Sequence, residues 1–291
     1  MENEEEDQYL LQVKKIIENG DITNDRTGVG TKSLFGFQMR YNLENNSFPL
    51  LTTKKMFHKG VIEELLWFLK GDTNSKTLEK KGVCIWKDNS SCETLKSLGL
   101  KDRKEGDCGP IYGFNFRHYG AKYVDCETDY TNCGYDQVKE ALRMIKEEPY
   151  SRRIMINLWN PLTLNESVLP PCHVIYQFKV IKNKLSCSLY QRSGDMGLGV
   201  PFNMASAALM TIIFAKLSNL EPYELIHTIG DSHVYLDHEE GLLNQIMRPP
   251  YKFPRINIID NSQTSVEDFN LEDFVITNYE CHEKIKLNMA I

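Results

Sequence analysis

Residues 169–203 read LPPCHVIYQFKVIKNKLSCSLYQRSGDMGLGVPFN, and this stretch decides the expected architecture. Pro170 and Pro171 restrict the backbone, so Cys172 should lie at a rigid start of a strand. Residues 173–181 and 184–193 are rich in β-branched and aromatic side chains, which predicts two strands joined by a polar turn. A helix is expected after Pro201.

The hairpin predicts which residues meet. A tight turn near 182–183 pairs residues whose numbers sum to about 365, which brings Cys172 beside Arg192 and Ser193. A guanidinium next to a thiol lowers the pKa of the thiol and favours the nucleophilic thiolate. Asp195 follows in a glycine-rich turn. The alternative is that Cys172 is a small core residue. A cysteine-protease site is disfavoured, because His173 on a strand points to the opposite face.

The length and composition fit one large domain. The chain has 291 residues, 41% of them hydrophobic and 25% charged. Strands and helices are interleaved without regular alternation, which favours a single α+β domain with a large mixed, twisted sheet flanked by helices. Residues 1–20 are taken as an acidic tail, disordered over 1–6, with the start of the first helix, and residues 21–291 as the catalytic domain.

Local patterns predict further elements. Helices are expected at 7–19 and 59–69, and one of the adjacent Glu63 and Glu64 should face solvent. The remaining predictions are a loop at 87–110, strands at 153–159 and 224–228, a buried helix over 204–217 and a helix over 233–247.

Charge and cysteine usage limit the function classes. The net charge of −6 does not favour non-specific nucleic-acid binding, so an anionic ligand would need a local arginine cluster. The eight cysteines contain no CxxC pair, so neither a metal site nor a disulfide framework is expected. Reduced thiols and the lack of a signal peptide indicate a cytoplasmic protein, with the nucleus as a second location. Residues 204–217 are too short and too polar for a membrane span.

The stretch resembles the thymidylate synthase family. LPPCH, YQRSGDMGLGVPFN and HTIGDSHVYL carry the match, which extends from about residue 20 to 291. It also includes DRTGVGT (25–31), FPLLTTKK (48–55), EELLWFLKGDTN (63–74), GPIYGFNFRHYG (109–120) and SRRI (151–154). The resemblance implies a homodimer in which two sheets pack face to face.

The resemblance implies a nucleotide site. Guanidinium forks match phosphate oxygens, although a lone arginine is usually solvated. Arg26, Arg152, Arg153, Arg192 and Ser193 would bind the 5′-phosphate, and Arg152 and Arg153 would come from the other subunit. Asn203 would pair with the uracil ring, unless it only caps the helix after Pro201. The full set implied for dUMP is Arg26, Arg152, Arg153, Cys172, Gln191, Arg192, Ser193, Asp195, Asn203, His233 and Tyr235.

His233 and Tyr235 also have a structural interpretation, as half-buried helix residues. In the resemblance they contact the ribose 3′-hydroxyl. The Asn203 amide can rotate by half a turn, so other side chains must fix its orientation; the sequence does not name them.

Catalytic and folate residues follow from the same resemblance. The catalytic set would be Cys172, Glu64, Tyr112, Arg192, Asp195 and Asn203. Glu64 would be the buried glutamate that transfers protons at O4, and Tyr112 would assist proton removal from C5. The folate would contact Ile85, Trp86, Asn89, Asp195, Leu198, Gly199, Phe202, Met289 and Ala290, although the apolar members could equally be core. Lys87 stands where many relatives have an acid.

The implied reaction is the methylation of dUMP to dTMP. Cys172 would add to C6 of the uracil, and 5,10-methylenetetrahydrofolate would supply one carbon and a hydride, leaving dihydrofolate. A pyrimidine hydroxymethylase would use the same nucleophile but finish with water. An RNA-binding regulator is a different class, and the net charge makes RNA binding a secondary role at most.

Overall fold

The computed structural model describes residues 3–25, 27–259 and 262–289. The helices are α1 (Glu4–Asn19), α2 (His58–Leu69), α3 (Ser75–Lys80), α4 (Cys92–Ser97), α5 (Tyr112–Arg117), α6 (Gln137–Glu147), α7 (Gly199–Leu217) and α8 (Glu239–Ile246). The strands are β1 (Asp21–Thr23), β2 (Thr31–Asn42), β3 (Met155–Asn157), β4 (His173–Ile181), β5 (Lys184–Asp195), β6 (Glu221–Tyr235), β7 (Arg255–Ile258) and β8 (Phe274–Thr277).

The predicted central hairpin is confirmed. Lys182 and Asn183 have φ values of 49° and 63°, as the two central residues of a tight hairpin turn require. Ile181 pairs with Lys184 and Ile175 with Tyr190, so the expected sum of 365 holds along most of β4 and β5. One register shift near the start of β4 places His173 opposite Gln191. The irregularity therefore lies next to Cys172.

A six-stranded sheet forms the centre of the domain. Its order is β1-β2-β6-β5-β4-β3, and β5 and β6 are parallel while the other neighbours are antiparallel. The prediction of an α+β domain with a mixed sheet flanked by helices is therefore confirmed. The long connection through α7 is what allows β5 and β6 to run parallel, because a hairpin turn cannot do so.

Helix α7 covers one face of this sheet. It packs on β5 and β6, and its apolar residues are buried around most of its circumference. Its 19 residues and its mean hydropathy of 1.5 would suffice for a membrane span by length and composition alone. However, 78% of its most apolar 18-residue segment is buried inside the domain. The prediction of a buried helix is confirmed, and it begins earlier than expected, at Gly199.

The other face of the sheet is much more exposed. Gln38, Thr228, Tyr190 and Ile175 form one row across β2, β6, β5 and β4, and each keeps solvent exposure. The neighbouring row contains Arg40, Ile226, Ser188 and Gln177. We call these eight residues the open face. The Tyr190 residue, for example, is 41% exposed.

One predicted segment in the carboxyl-terminal half was wrong at its start. The strand predicted at 224–228 is confirmed as part of the longer strand β6, which continues to Tyr235. The helix predicted from residue 233 therefore begins only at Glu239. His233 pairs with Ser33 on one side and Asp195 on the other. Hydrogen bonding to two neighbouring strands outweighs the weak β-propensity of the Gly230-Asp231-Ser232 segment.

The predicted disordered tail was wrong for residues 3–6. The side chain of Asn3 caps α1, and Glu6 is fully buried. The Glu6 carboxylate accepts hydrogen bonds from the backbone N–H and hydroxyl groups of Thr52 and Thr53, at 2.6–3.0 Å. Burying a carboxylate is tolerated only with such partners, so α1 is anchored at its first turn.

Three other segments differ in extent from their predictions. The helix predicted at 59–69 is α2, which begins one residue earlier. The predicted loop at 87–110 contains the short helix α4. Of the strand predicted at 153–159, Met155–Asn157 forms β3, and the flanking Ile154 and Leu158 also hydrogen-bond to the backbone of β4.

Candidate active site

Cys172 and Arg192 lie together, as the register predicts. The backbone N–H of Arg192 donates to the Cys172 carbonyl at 2.9 Å. The guanidinium is held by the carbonyl groups of Pro170 and Pro171, each at 3.0 Å, and stacks over Trp159. Its Nη2 lies 3.9 Å from the Cys172 sulfur. A fixed cation at this distance stabilises a thiolate relative to a thiol.

An aromatic wall stands beside the thiol. The Tyr112 hydroxyl accepts a hydrogen bond from the Cys172 backbone N–H at 2.7 Å. The Tyr112 ring packs against Phe68 and Trp86, and burial raises the pKa of the Tyr112 hydroxyl well above its usual value. Tyr112 is therefore a neutral group that positions the Cys172 backbone.

Glu64 lies against the Trp86 ring of this wall. The Trp86 indole N–H donates to the Glu64 carboxylate at 2.7 Å. Burial raises the pKa of Glu64 to about 7, and the Trp86 hydrogen bond opposes the shift. The residue as a whole keeps some solvent exposure, so the carboxylate is the enclosed part. A carboxyl group with a pKa near neutrality is suited to proton transfer.

The prediction that one of the two glutamates faces solvent was wrong. Glu63 is 4% exposed and forms an ion pair with Lys81 at 2.6 Å. Pairing with a lysine is what allows the second carboxylate to be enclosed.

Asp195 shapes the turn before α7. Its carboxylate accepts hydrogen bonds from the backbone N–H groups of Gly197, Leu198 and Gly199. Burial would raise its pKa, but His238, His233 and the Gly197 hydrogen bond outweigh burial, so the pKa of Asp195 is lowered.

Two residues that the sequence did not single out support this turn. The buried Lys54 ammonium donates to the Gly197 carbonyl, and burial lowers the pKa of Lys54 to about 8. The buried His238 ring lies 3.7 Å from Asp195 and contacts the Asn288 carbonyl at 2.6 Å. Lys54 belongs to the FPLLTTKK block, but no sequence signal marks a lysine or a histidine as buried.

Asn203 lies inside α7, four residues after the helix begins. The interpretation of Asn203 as a helix cap is therefore wrong. Its Oδ1 accepts a hydrogen bond from Gln191 Nε2 at 2.9 Å. His233 and Tyr235 lie on β6 with their rings 5.5 Å apart, and His233 Nδ1 is 2.9 Å from Asp231. The interpretation of His233 and Tyr235 as helix residues is likewise wrong.

Arg152 and Arg153 are not near Cys172 in the same chain. The Arg152 carbonyl accepts from the Gln177 side chain at 3.1 Å, so the pair lies by the middle of β4. Cys172 precedes this strand by one residue, and the five residues from 172 to 177 span about 17 Å. Both arginines are exposed. Arg26, also predicted to bind phosphate, lies outside the described residues, while Ser193 is on β5 close to Arg192.

The residues predicted for folate form a partly exposed apolar surface. Trp86 is buried, whereas Ile85, Asn89, Leu198, Gly199 and Phe202 are half-buried. Met289 is 44% exposed near the end of the chain, and Ala290 lies outside the described residues. Lys87 is exposed next to Trp86. Leu198, Gly199 and Phe202 follow Asp195 along the chain, at the turn into α7.

Comparisons with known proteins show the family of the chain. The family model described as "Thymidylate synthase" matches residues 7–291. A protein of Encephalitozoon cuniculi named "Thymidylate synthase 1/2" is 53% identical over 286 residues, which are 98% of this chain and 97% of that protein. The Homo sapiens "Thymidylate synthase" is 52% identical over 284 residues, which are 98% of this chain and 90% of that protein.

A longer relative also matches the whole of this chain. The "Bifunctional dihydrofolate reductase-thymidylate synthase" of Paramecium tetraurelia is 53% identical over 290 residues, and the chain spans 62% of its length. The chain belongs to the thymidylate synthase family, and its activity is that of a thymidylate synthase, a methyltransferase.

Proposed function

We propose that Cys172 is the nucleophile that converts dUMP to dTMP in this protein. The observation that carries the proposal is the guanidinium of Arg192, which is fixed by two proline carbonyls and lies 3.9 Å from the sulfur. Addition of the thiolate to C6 of the uracil makes C5 nucleophilic and places negative charge on O4. The co-substrate 5,10-methylenetetrahydrofolate supplies the one-carbon unit and the hydride.

The protein side chains have separate tasks in this proposal. Asn203 contacts the uracil edge, while His233 and Tyr235 bind the ribose. Arg192, Ser193 and Arg26 hold the phosphate. Glu64, with its pKa of about 7, exchanges protons with the developing charge at O4, through water. Tyr112 assists removal of the C5 proton.

The folate would bind against the partly exposed apolar residues that the sequence predicts for it. Ile85, Trp86, Asn89, Leu198, Gly199 and Phe202 would contact it, with Asp195 holding its pterin ring. The residues present fit such a ring, because Leu198 and Phe202 are partly exposed apolar side chains close to Asp195 in sequence, and the lowered pKa of Asp195 keeps its carboxylate ionised. Met289 and Ala290 would close over the ligand from the carboxyl end.

We further propose that the protein works as a homodimer in the cytoplasm. The open face carries few charges and includes the partly exposed Ile175, Tyr190 and Ile226, so a second copy could cover it. Arg152 and Arg153 would then reach the partner's phosphate site, which explains their distance from Cys172. None of the eight cysteines, all of which lie in the described part of the chain, forms a disulfide, which suits a reducing compartment.

Replacement of the thiol tests the nucleophile. Cys172→Ser is expected to lower kcat for dihydrofolate formation more than ~100-fold, a barrier increase above ~2.7 kcal/mol, while dUMP binding stays measurable. A hydroxyl in this position has no strong base to ionise it. With 5-fluoro-dUMP and the folate, mass spectrometry should find both ligands on a peptide that contains Cys172. Retention of more than a hundredth of wild-type turnover would exclude covalent catalysis by Cys172.

A further inference from the structure

A buried hydrogen-bond chain leads from the sheet to Asn203. Gln191 is 1% exposed and His227 is fully buried. Gln191 Nε2 donates to the Ser193 backbone carbonyl at 2.8 Å and to Asn203 Oδ1 at 2.9 Å. At its other end, Gln191 Oε1 lies 2.8 Å from His227 Nε2. The chain thus runs from His227 through Gln191 to Asn203.

The Ser193 backbone carbonyl oxygen fixes the donor and the acceptor of every hydrogen bond in this series. A backbone carbonyl can only accept, so the end of the Gln191 amide at Ser193 must be the NH2 group. The opposite end is therefore the oxygen, and His227 must present an N–H to it. The same NH2 group has a second hydrogen, so the Asn203 atom that it meets must be the oxygen. The Asn203 NH2 group then faces away from Gln191.

The surroundings of His227 agree with one protonation state. Burial, with a smaller contribution from His173, lowers the pKa of His227 to about 3, so the ring is neutral at physiological pH. Its Nδ1 has no hydrogen-bond partner among the residues that the structure describes. A neutral ring that carries its proton on Nε2 leaves only a bare lone pair at Nδ1. The other tautomer would bury an unpaired N–H and set two acceptors against each other.

We propose that His227 is a positioning residue for base selection, which fixes the Asn203 amide so that its NH2 group faces O4 of uracil. This inference rests on the proposed contact between Asn203 and the base. Cytosine has an amino group where uracil has O4, so the fixed amide would set two donors against each other. Rotating the Asn203 amide alone would place its NH2 group against the NH2 group of Gln191. Rotation of both amides would place Gln191 Oε1 against the Ser193 carbonyl oxygen and the Gln191 NH2 group against the His227 N–H.

The tautomer can be measured without any turnover. Nitrogen-15 NMR of the intact protein should show His227 neutral, with its proton on Nε2, from pH 5.5 to 8.5. A proton on Nδ1, or titration of the ring within this range, would overturn the proposal. Because the spectrum does not depend on substrate, its outcome is separate from that of the proposed function, which the formation of dihydrofolate tests.

The effect on selection is measured by binding. The ratio of the dCMP to the dUMP dissociation constants should fall about 10-fold in His227→Leu, since losing one buried hydrogen bond commonly changes an equilibrium by this factor. The ratio should stay within about 3-fold of wild type in His227→Gln, which retains an N–H. The Ser193 carbonyl remains as a second anchor, so selection should weaken without reversing.

A neighbouring residue provides the matched control. Leu225 is fully buried two residues earlier on β6 and has no part in the hydrogen-bond chain. Leu225→Ala should lower stability and leave the dCMP-to-dUMP ratio unchanged. An unchanged ratio in His227→Leu, or an equal fall in Leu225→Ala, would show that His227 only fills space. Should His227→Leu fail to fold, the tautomer in the wild-type protein and the ratio in His227→Gln still decide.

Discussion

At the residue scale, the proposed contact between Asn203 and uracil predicts that Asn203 selects the base. Asn203→Asp keeps an oxygen for Gln191 Nε2, 2.9 Å away, but replaces the NH2 group by a second oxygen. That oxygen would repel O4 of uracil and accept from the amino group of cytosine. Sites built on paired hydrogen bonds can discriminate by ~10⁴ or more, so we expect kcat/KM for dUMP to fall at least ~10²-fold.

The loss for dCMP should be much smaller, or a gain. Steady-state rates with both substrates between pH 5.5 and 8 check this prediction. The shift should increase at lower pH if a protonated carboxyl is the active form, because it could also donate to N3 of cytosine. If the dUMP-to-dCMP ratio does not change, the base is recognised by other residues.

Glu64 gives a prediction for stability. Burial raises its folded pKa to about 7, above the ordinary glutamate value of 4.5, so the folded protein holds this proton more tightly than the unfolded chain. The resulting stabilisation is complete below pH 4.5 and is lost as the pH rises through 7. Glu64→Gln removes this dependence and still accepts from Trp86. We expect it to raise the free energy of unfolding by about 1–3 kcal/mol at pH 8, relative to wild type.

Urea unfolding of wild type and variant from pH 4.5 to 8 measures the difference. Glu63→Gln is the matched control on the same helix, since it breaks the ion pair with Lys81 and should lower stability instead. A Glu64→Gln curve parallel to that of wild type would show that the carboxyl does not titrate in this range.

At the scale of single elements, the hairpin was predictable and β6 was not. Pro170, Pro171 and the polar turn fix β4 and β5 through local rules alone, and the register follows by counting. The second half of β6 contains Gly230, Asp231 and Ser232, which have no strand pattern of their own. Its partners, β2 and β5, are distant in sequence, so local propensity could not reveal the pairing.

The tail after β8 gives a prediction at the same scale. His238 Nε2 lies 2.6 Å from the Asn288 carbonyl, while Nδ1 lies 3.7 Å from Asp195. Burial would lower the pKa of His238, but Asp195 outweighs burial and raises it. The charged ring attracts both groups, so the tail should be held most firmly below the ordinary histidine pKa. This hold is lost as the pH rises through the raised pKa.

Hydrogen exchange of residues 283–289 measures this hold. His238→Gln keeps one donor for Asn288 but not the charge, so protection factors should fall about 5–10-fold at pH 6 and lose their pH dependence. His282→Gln is the control, because His282 tethers the tail to the Pro249 carbonyl at 2.8 Å without contacting Asp195. Equal and pH-independent changes in the two variants would contradict the special role of His238.

At the scale of the whole molecule, the fold class and the meeting of Cys172 with Arg192 followed from the sequence. The buried polar residues that stabilise the core and the site could not be predicted from the sequence. Glu6, Lys54, His227 and His238 are charged or polar residues whose burial depends on partners far along the chain, such as the hydrogen bonds from Thr52 and Thr53 to Glu6. Composition predicts exposure for such residues, and only the assembled core decides otherwise.

The exposed arginines yield the last prediction, which concerns the assembly. Arg152 and Arg153 lie by the middle of β4, about 17 Å from Cys172 by strand length, and the proposed dimer assigns them to the phosphate site of the partner. Cys172→Ser and Arg153→Glu should each be inactive alone. In a heterodimer of the two, one site carries both defects and the other carries neither. Random exchange makes half of the dimers mixed, so activity should return to about a quarter of wild type.

The matched control mixes Cys172→Ser with Arg192→Glu. The wild-type Arg192 side chain lies 3.9 Å from the Cys172 sulfur of its own chain. Every site in that mixture is defective, so no activity should return. Proven exchange of subunits without recovery in the first mixture would mean that each subunit completes its own site.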